Sequence, residues 1–219
     1  MFIKRITILS LFITLVFCLN NNDVLAADNI NNPENIEIKS SGKSLVDFIP
    51  KDWKIISEVQ GNLNKDKLKD IAAVIEYTGE YKSDTEEWFG QPRILFIIFK
   101  KNDGTYKLSA QTEIMRSEEG GVFGDPFVEM KYSRGSIVIS YYGGSSWRWG
   151  FTGRYRFQNN DWYLIGETEL SEDIHTGKSE TIDTNCLTGR QIITSVDKNG
   201  KKKVVTRYIR KKKLEKLTD

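Results

Sequence analysis

The sequence predicts an all-β fold of antiparallel sheets, arranged either as a sandwich or as a propeller-like stack of hairpins. Three observations predict it. β-branched and aromatic runs recur from Trp53 onward. Three of the gaps between them carry hairpin-turn residues: Asn102-Asp103-Gly104, Asn159-Asn160-Asp161 and Asp197-Lys198-Asn199-Gly200. No stretch holds a helical period long enough to compete. No internal repeat argues for several propeller blades.

Residues 1–26 read as a secretory signal peptide. Lys4 and Arg5 form a basic start, Ile6 to Leu19 is an apolar run, and Val24-Leu25-Ala26 offers a cleavage site after Ala26. The apolar run falls short of the ~20 residues that a membrane span needs. Membrane association is therefore expected only if the signal is retained. Phe17 is too bulky for the residue before a lipidated cysteine, so Cys18 reads as part of the apolar stretch. The expected location is outside the cytoplasm: secreted, periplasmic or bound to the cell envelope.

Residues 27–44 read as a flexible leader rich in Asn, Ser and charge. A single β domain is expected over 45–210. Ser44 can cap a short helical turn through Val46 to Ile49, which Pro50 ends. Trp53 to Gln60 then alternates apolar residues, with a slip before Val59. Asp70 to Tyr77 and Arg93 to Lys100 are continuous apolar runs of buried-strand type. Tyr106 to Thr112 is the return strand of the first hairpin. Lys131 to Tyr142 contains a turn at Ser133-Arg134-Gly135 and a strand at Ile137-Val138-Ile139. Trp147 to Phe157 pairs with Trp162 to Leu170, and Gln191 to Val196 with Val204 to Ile209.

Net charge is only +2, but it is unevenly placed. Basic residues crowd the segment from Lys198 to Lys216, and 211–219 reads as a basic tail, frayed and solvated. Past the signal the chain keeps one cysteine, Cys186. No internal disulfide can form there, and a lone thiol of this kind is usually buried.

The loop Gly61-Asn62-Leu63-Asn64-Lys65-Asp66-Lys67-Leu68-Lys69-Asp70 sets oxygen-bearing side chains at Asn62, Asn64, Asp66 and Asp70. That spacing can wrap a hard cation. It resembles the D-x-N-x-D-G-x-x-D loop of FG-GAP and VCBS-type repeats, which in secreted and surface proteins often hold calcium between two strands. The resemblance implies calcium as a ligand of those four residues. The chain departs from the pattern at Asn62, where the family has Asp, and at Lys67, where it has Gly. Lys65, Lys67 and Lys69 also repel a divalent ion.

The second distinctive region is Tyr141-Tyr142-Gly143-Gly144-Ser145-Ser146-Trp147-Arg148-Trp149-Gly150, preceded by Gly120-Gly121-Val122-Phe123-Gly124-Asp125-Pro126-Phe127. In a strand Trp147 and Trp149 share one face and Arg148 takes the other. Arg154 and Arg156 likewise oppose Tyr155 and Phe157. Aromatic rings stack on sugars, and guanidinium groups take carboxylate or phosphate. Trp147, Arg148, Trp149, Arg154 and Arg156 are thus the candidate ligand surface, suited to an anionic envelope polymer or glycan. The structural alternative is a core of aromatics backed by a solvated arginine face. Together with Asn185-Cys186-Leu187-Thr188-Gly189, these segments resemble those of uncharacterised exported bacterial proteins of about this length. The resemblance brings no activity with it.

Enzyme chemistry finds little footing. His175 is the only histidine and sits in a polar turn. No nucleophile elbow, phosphate-cradling loop or dinucleotide fingerprint is present. Asp125 with Glu129, or Glu167 with Glu169, are the candidate carboxylate pairs for glycan hydrolysis. The expectation is an exported, non-enzymatic binding domain at the cell envelope, with a secreted glycan hydrolase as the alternative. Nothing points to a specific nucleic acid.

Overall fold

In a computed structural model, residues 33, 36–81 and 90–218 are described. The signal peptide, its Cys18 and most of residues 27–35 lie outside them. No helix among the described residues is long and apolar enough to cross a membrane. The chain divides into two compact units, Met1–Glu37 and Ile38–Asp219, and the second carries the fold.

That unit begins earlier than the sequence suggested. Residues 38–44, read as leader, belong to it. The Ile38 N–H donates to Gln111 Oε1 at 2.8 Å. The two-residue β1 (Ser41–Gly42) pairs with Tyr106 and Lys107, too short to leave a periodic signal. A 3-10 turn at Leu45–Phe48 follows. The Asp47 carboxylate accepts the N–H groups of Lys43 at 2.8 Å and Ser44 at 2.9 Å, closing its N-terminus. The turn delivers Phe48, buried, to stack on Phe96 at 6.2 Å.

β2 (Trp53–Gly61), β3 (Asp70–Tyr77), β4 (Arg93–Lys100) and β5 (Tyr106–Ile114) complete a five-stranded sheet of order β1-β5-β4-β3-β2. The slip in the β2 pattern is a bulge between Ile55 and Ser57. β3 and β4 are buried on both faces, which explains their unbroken apolar runs.

The second sheet is a meander of seven strands: β6 (Phe127–Ser133), β7 (Ser136–Gly144), β8 (Trp147–Gln158), β9 (Asp161–Asp173), β10 (Lys178–Asn185), β11 (Arg190–Val196) and β12 (Lys202–Tyr208). Two-residue turns with left-handed backbone join β6 to β7 and β8 to β9, Arg134-Gly135 at φ 53° and 70°, Asn159-Asn160 at φ 51° and 60°. β10 escaped the sequence pattern because its one large apolar residue is Ile182. Its neighbours β9 and β11 recruit it through backbone pairing on both sides.

Neither sheet closes on itself, so of the two architectures expected the chain adopts the sandwich. Ala72, Val74, Leu95 and Ile97 of the first sheet meet Ile137, Ile139, Tyr141 and Trp162 of the second. Each large side chain so buried contributes roughly 1.5–3 kcal/mol. The Trp162 indole N–H, which burial would otherwise orphan, donates to Ser109 Oγ at 3.0 Å.

Residues 209–217 return to the second sheet instead of fraying. Ile209 N–H donates to Gly189 O at 2.9 Å, Leu164 N–H to Glu215 O at 2.9 Å, and Leu217 N–H to Trp162 O at 3.0 Å. Lys216 Nζ lies 2.6 Å from an Asp161 oxygen. The described part of the basic tail is therefore a strap belonging to the domain.

Candidate functional site

Strand alternation sorts the candidate residues of β8. Trp149, Phe151, Tyr155 and Phe157 point inward and pack on the core. Arg148, Thr152, Arg154 and Arg156 take the outer face. Thr152 meets Ser140 there at 3.0 Å, and Arg148 Nη1 donates to Tyr142 OH at 3.3 Å. Arg154 Nη1 donates to Ser133 O at 3.1 Å and Arg156 Nη2 to Gln158 Oε1 at 2.8 Å, so both are oriented along the sheet surface. Trp147 shares the inward parity but sits at the strand's start, beyond the core, and is 65% exposed. The five residues therefore divide: Trp149 is core, Trp147 and Arg148 stand at one end on opposite faces of the strand, and Arg154 and Arg156 lie further along the outer face.

At that end three loops converge. Val122 N–H donates to Gly144 O at 3.0 Å, Gly144 N–H to Gly120 O at 2.8 Å, and Ile174 N–H to Ser146 O at 3.1 Å. Glycine is required at 144: its φ is 112°, and a Cβ there would lie 2.1 Å from Trp147 O. The loop tips present Val122, Phe123, Trp147 and Ile174 to solvent. Beneath them the Arg148 guanidinium carbon lies 5.2 Å from the Phe123 ring centre, and the Phe123 and Tyr142 rings meet edge-on at 5.4 Å. Arg148 Nε is buried with no hydrogen-bond partner. Phe123, Val122, Tyr142 and Ile174 were not singled out in the sequence as ligand residues, because their loops are remote from Trp147 along the chain.

A buried charge network fixes one of these loops. Arg93, 3% exposed, pairs bidentately with Asp125, Nη1 to Oδ1 and Nη2 to Oδ2 both at 2.6 Å. Its Nε donates to Glu76 Oε2 at 2.8 Å, and Lys54 Nζ lies 2.9 Å from Glu76 Oε1. Asp125 Oδ1 also accepts the Phe127 N–H at 2.8 Å. Partial burial pulls the Asp125 carboxyl upward, but the Arg93 guanidinium and the Phe127 N–H hold it below the usual carboxylate value. Of the first carboxylate pair, then, Asp125 is engaged by Arg93, and Glu129 ion-pairs with Lys131.

Glu167 and Glu169 share the inner face of β9, opposite Thr184 and Ile182 of β10. Glu167 lines a pocket of about 90 Å³ with Leu164, Thr184, Cys186 and the C-terminal strap. Burial raises the Glu167 carboxyl above its ordinary value, and Glu169 and Glu215 raise it further. Burial likewise pushes the Cys186 thiol up to about 12. Asp173 accepts the N–H of His175 at 3.0 Å, which leaves that histidine on an exposed turn.

The loop between β2 and β3 is held by its own groups. Asp70, fully buried, accepts N–H groups from Leu63 at 2.7 Å, Asn64 at 3.3 Å and Lys100 at 3.0 Å. Burial raises its carboxyl value against the pull of those donors. Asn64 Nδ2 donates to Asp66 Oδ2 at 2.8 Å, and Asp66 Oδ1 accepts the Leu68 N–H at 2.8 Å. Asn62 Oδ1 is buried without a partner. Among the described residues no three His, Cys, Asp or Glu side chains cluster as a metal site.

Compared with protein-family models, with curated proteins and with solved structures, the chain matches none.

Proposed function

We propose that this is an exported, non-enzymatic binding domain whose ligand seats on the loop end of the second sheet. The observation that carries the reading is Arg148, whose Nε has no partner and whose guanidinium is flanked by Phe123 and Tyr142, with the exposed Trp147 at the same end of the strand. The Phe123 ring against a planar cation, with a further exposed aromatic at Trp147 nearby along the chain, suits a sugar ring bearing a carboxylate or phosphate. Arg154 and Arg156 continue the positive charge along the outer face, as a track for an anionic envelope polymer. Export rests on the signal sequence at residues 1–26. Calcium at Asn62, Asn64, Asp66 and Asp70 would act on this site only indirectly, since that loop belongs to the other sheet.

The test is co-sedimentation with purified cell-wall polymer, alongside soluble polygalacturonate and neutral amylose. Binding to the anionic materials is expected. Trp147→Ala and Arg148→Met should each weaken it about tenfold or more, the range of a truncated binding hot spot, with an unchanged melting temperature. No product should be released from the polymer. Equal binding by both variants, or soluble product, refutes the reading.

A further inference from the structure

We propose that the outer edge of β12 docks an acidic, extended segment of a partner protein as an eighth strand of the second sheet. The sheet order ends at β12, so among the described residues no strand lies on its outer side. All seven residues of Lys202–Tyr208 are exposed. An edge of this kind offers unpaired N–H and C=O groups to any chain that can lie alongside.

The edge is ready-made. Its pairing with β11 runs without a bulge from Val196↔Lys202 to Arg190↔Tyr208. Both ends are anchored. Lys201 N–H donates to Asp197 Oδ1 at 2.9 Å before the strand, and Ile209 N–H donates to Gly189 O at 2.9 Å after it. Little ordering remains for a partner to impose, which lowers the cost of binding.

Open edges are commonly blunted by bulges, prolines or a covering element. β12 has neither bulge nor proline, and its protection is charge. Lys201, Lys202, Lys203, Arg207, Arg210 and the lysines at 211–213 stand with no acid between Asp197 and Glu215. That charge decides the occupant. A second copy would bring the same cations face to face, an unfavourable arrangement at strand spacing. A chain carrying Asp or Glu is attracted by the same side chains, and charge complementarity also fixes its register. Val204, Val205 and Tyr208 are 56%, 40% and 72% exposed, so both faces of the strand also offer apolar contact to alternate residues of the incoming segment.

The test is amide hydrogen exchange of the chain lacking its signal sequence. The probe is a synthetic peptide of alternating Glu and Val, about seven residues long, the length of an ordinary strand. Its amides in β12 should exchange about tenfold more slowly or better with the peptide present. A Lys/Val peptide, and a Glu/Val peptide N-methylated at every residue so that neither edge keeps a donor, should give no protection. The double variant Lys202→Glu/Lys203→Glu, at two exposed positions, should lessen the protection that the Glu/Val peptide gives. No slowing with Glu/Val overturns the proposal. Equal slowing with the N-methylated peptide would mean charge attraction without strand pairing and also overturns it. Protection confined to the Trp147 end would do the same while leaving the proposed ligand site standing.

Discussion

Arg93 and Asp125 join the two sheets of this protein by two parallel hydrogen bonds of 2.6 Å, from the start of β4 to the residue that leads into β6. The pair does more than close the sandwich. It fixes the end of the glycine-rich loop that presents Phe123 to Arg148 and Tyr142. Breaking it should therefore loosen the candidate ligand site as well as the fold.

Asp125→Ala strands a buried guanidinium with only Glu76 left to pair it. A loss of about 2 kcal/mol is expected, below the 3–5 kcal/mol of a wholly buried pair because Asp125 itself is half exposed. The folded Asp125 value is depressed, so its contribution is present in full above the ordinary value of 3.8 and is lost as pH falls through the lowered folded value. Urea titrations from pH 7 downward should show wild type and Asp125→Ala converging below about pH 4. A constant gap at all pH values would contradict the ionic role.

The two tryptophans of the Trp-Arg-Trp motif should behave oppositely. Trp147→Ala removes a mostly exposed ring and should leave stability within about 0.5 kcal/mol while weakening ligand binding about tenfold or more. Trp149 packs on the core and fits so closely over Gly143 that a Cβ there would approach its ring to 2.7 Å. Trp149→Ala should cost about 3 kcal/mol. Thermal melts paired with the polymer-binding assay check both.

Glu167 is held above its ordinary carboxylate value, first by burial and then by Glu169 and Glu215. Its ionisation therefore works against the fold: stability is highest below the ordinary value of 4.5 and falls as pH rises through the raised folded value. Glu167→Gln should raise the melting temperature at pH 7 and match wild type near pH 4. An equal effect at both pH values would show a packing change instead.

The loop between β2 and β3 stores strain at Lys65 and Lys67, at φ 71° and 74°. Lys67→Gly relieves a left-handed penalty of ~1 kcal/mol, part of which the greater freedom of the unfolded glycine returns. A net gain of about 0.5 kcal/mol should appear in urea denaturation. Because the Asn64, Asp66 and Asp70 oxygens already take N–H donors, melts in millimolar calcium and in chelator should coincide. A rise with calcium would make the resemblance to calcium-holding loops a functional one.

The strands legible in the sequence were those whose burial writes itself into the residues. β3 and β4, buried on both faces, begin and end where their apolar runs do. The two-residue turns were legible because Arg134-Gly135 and Asn159-Asn160 carry residues that tolerate left-handed backbone. β1 and β10 were not, since one is two residues long and the other is polar, and both exist through pairing with neighbours. The Trp147–Arg148 end was half legible. The motif is contiguous, but its partners Phe123 and Ile174 arrive through loops brought together by Gly144 and Ser146 backbone groups.

By itself the sequence determined the all-β class, the main strands and the division of β8 into an aromatic and a cationic face, because alternation and turn chemistry are local. The tertiary structure alone decided the sandwich over a hairpin stack, which tryptophan is buried, and that Arg93 holds Asp125. It also turned the basic C-terminus into a strap and left β12 as an open edge. Each of these depends on contacts between residues far apart in the chain, whose partners no local pattern can name.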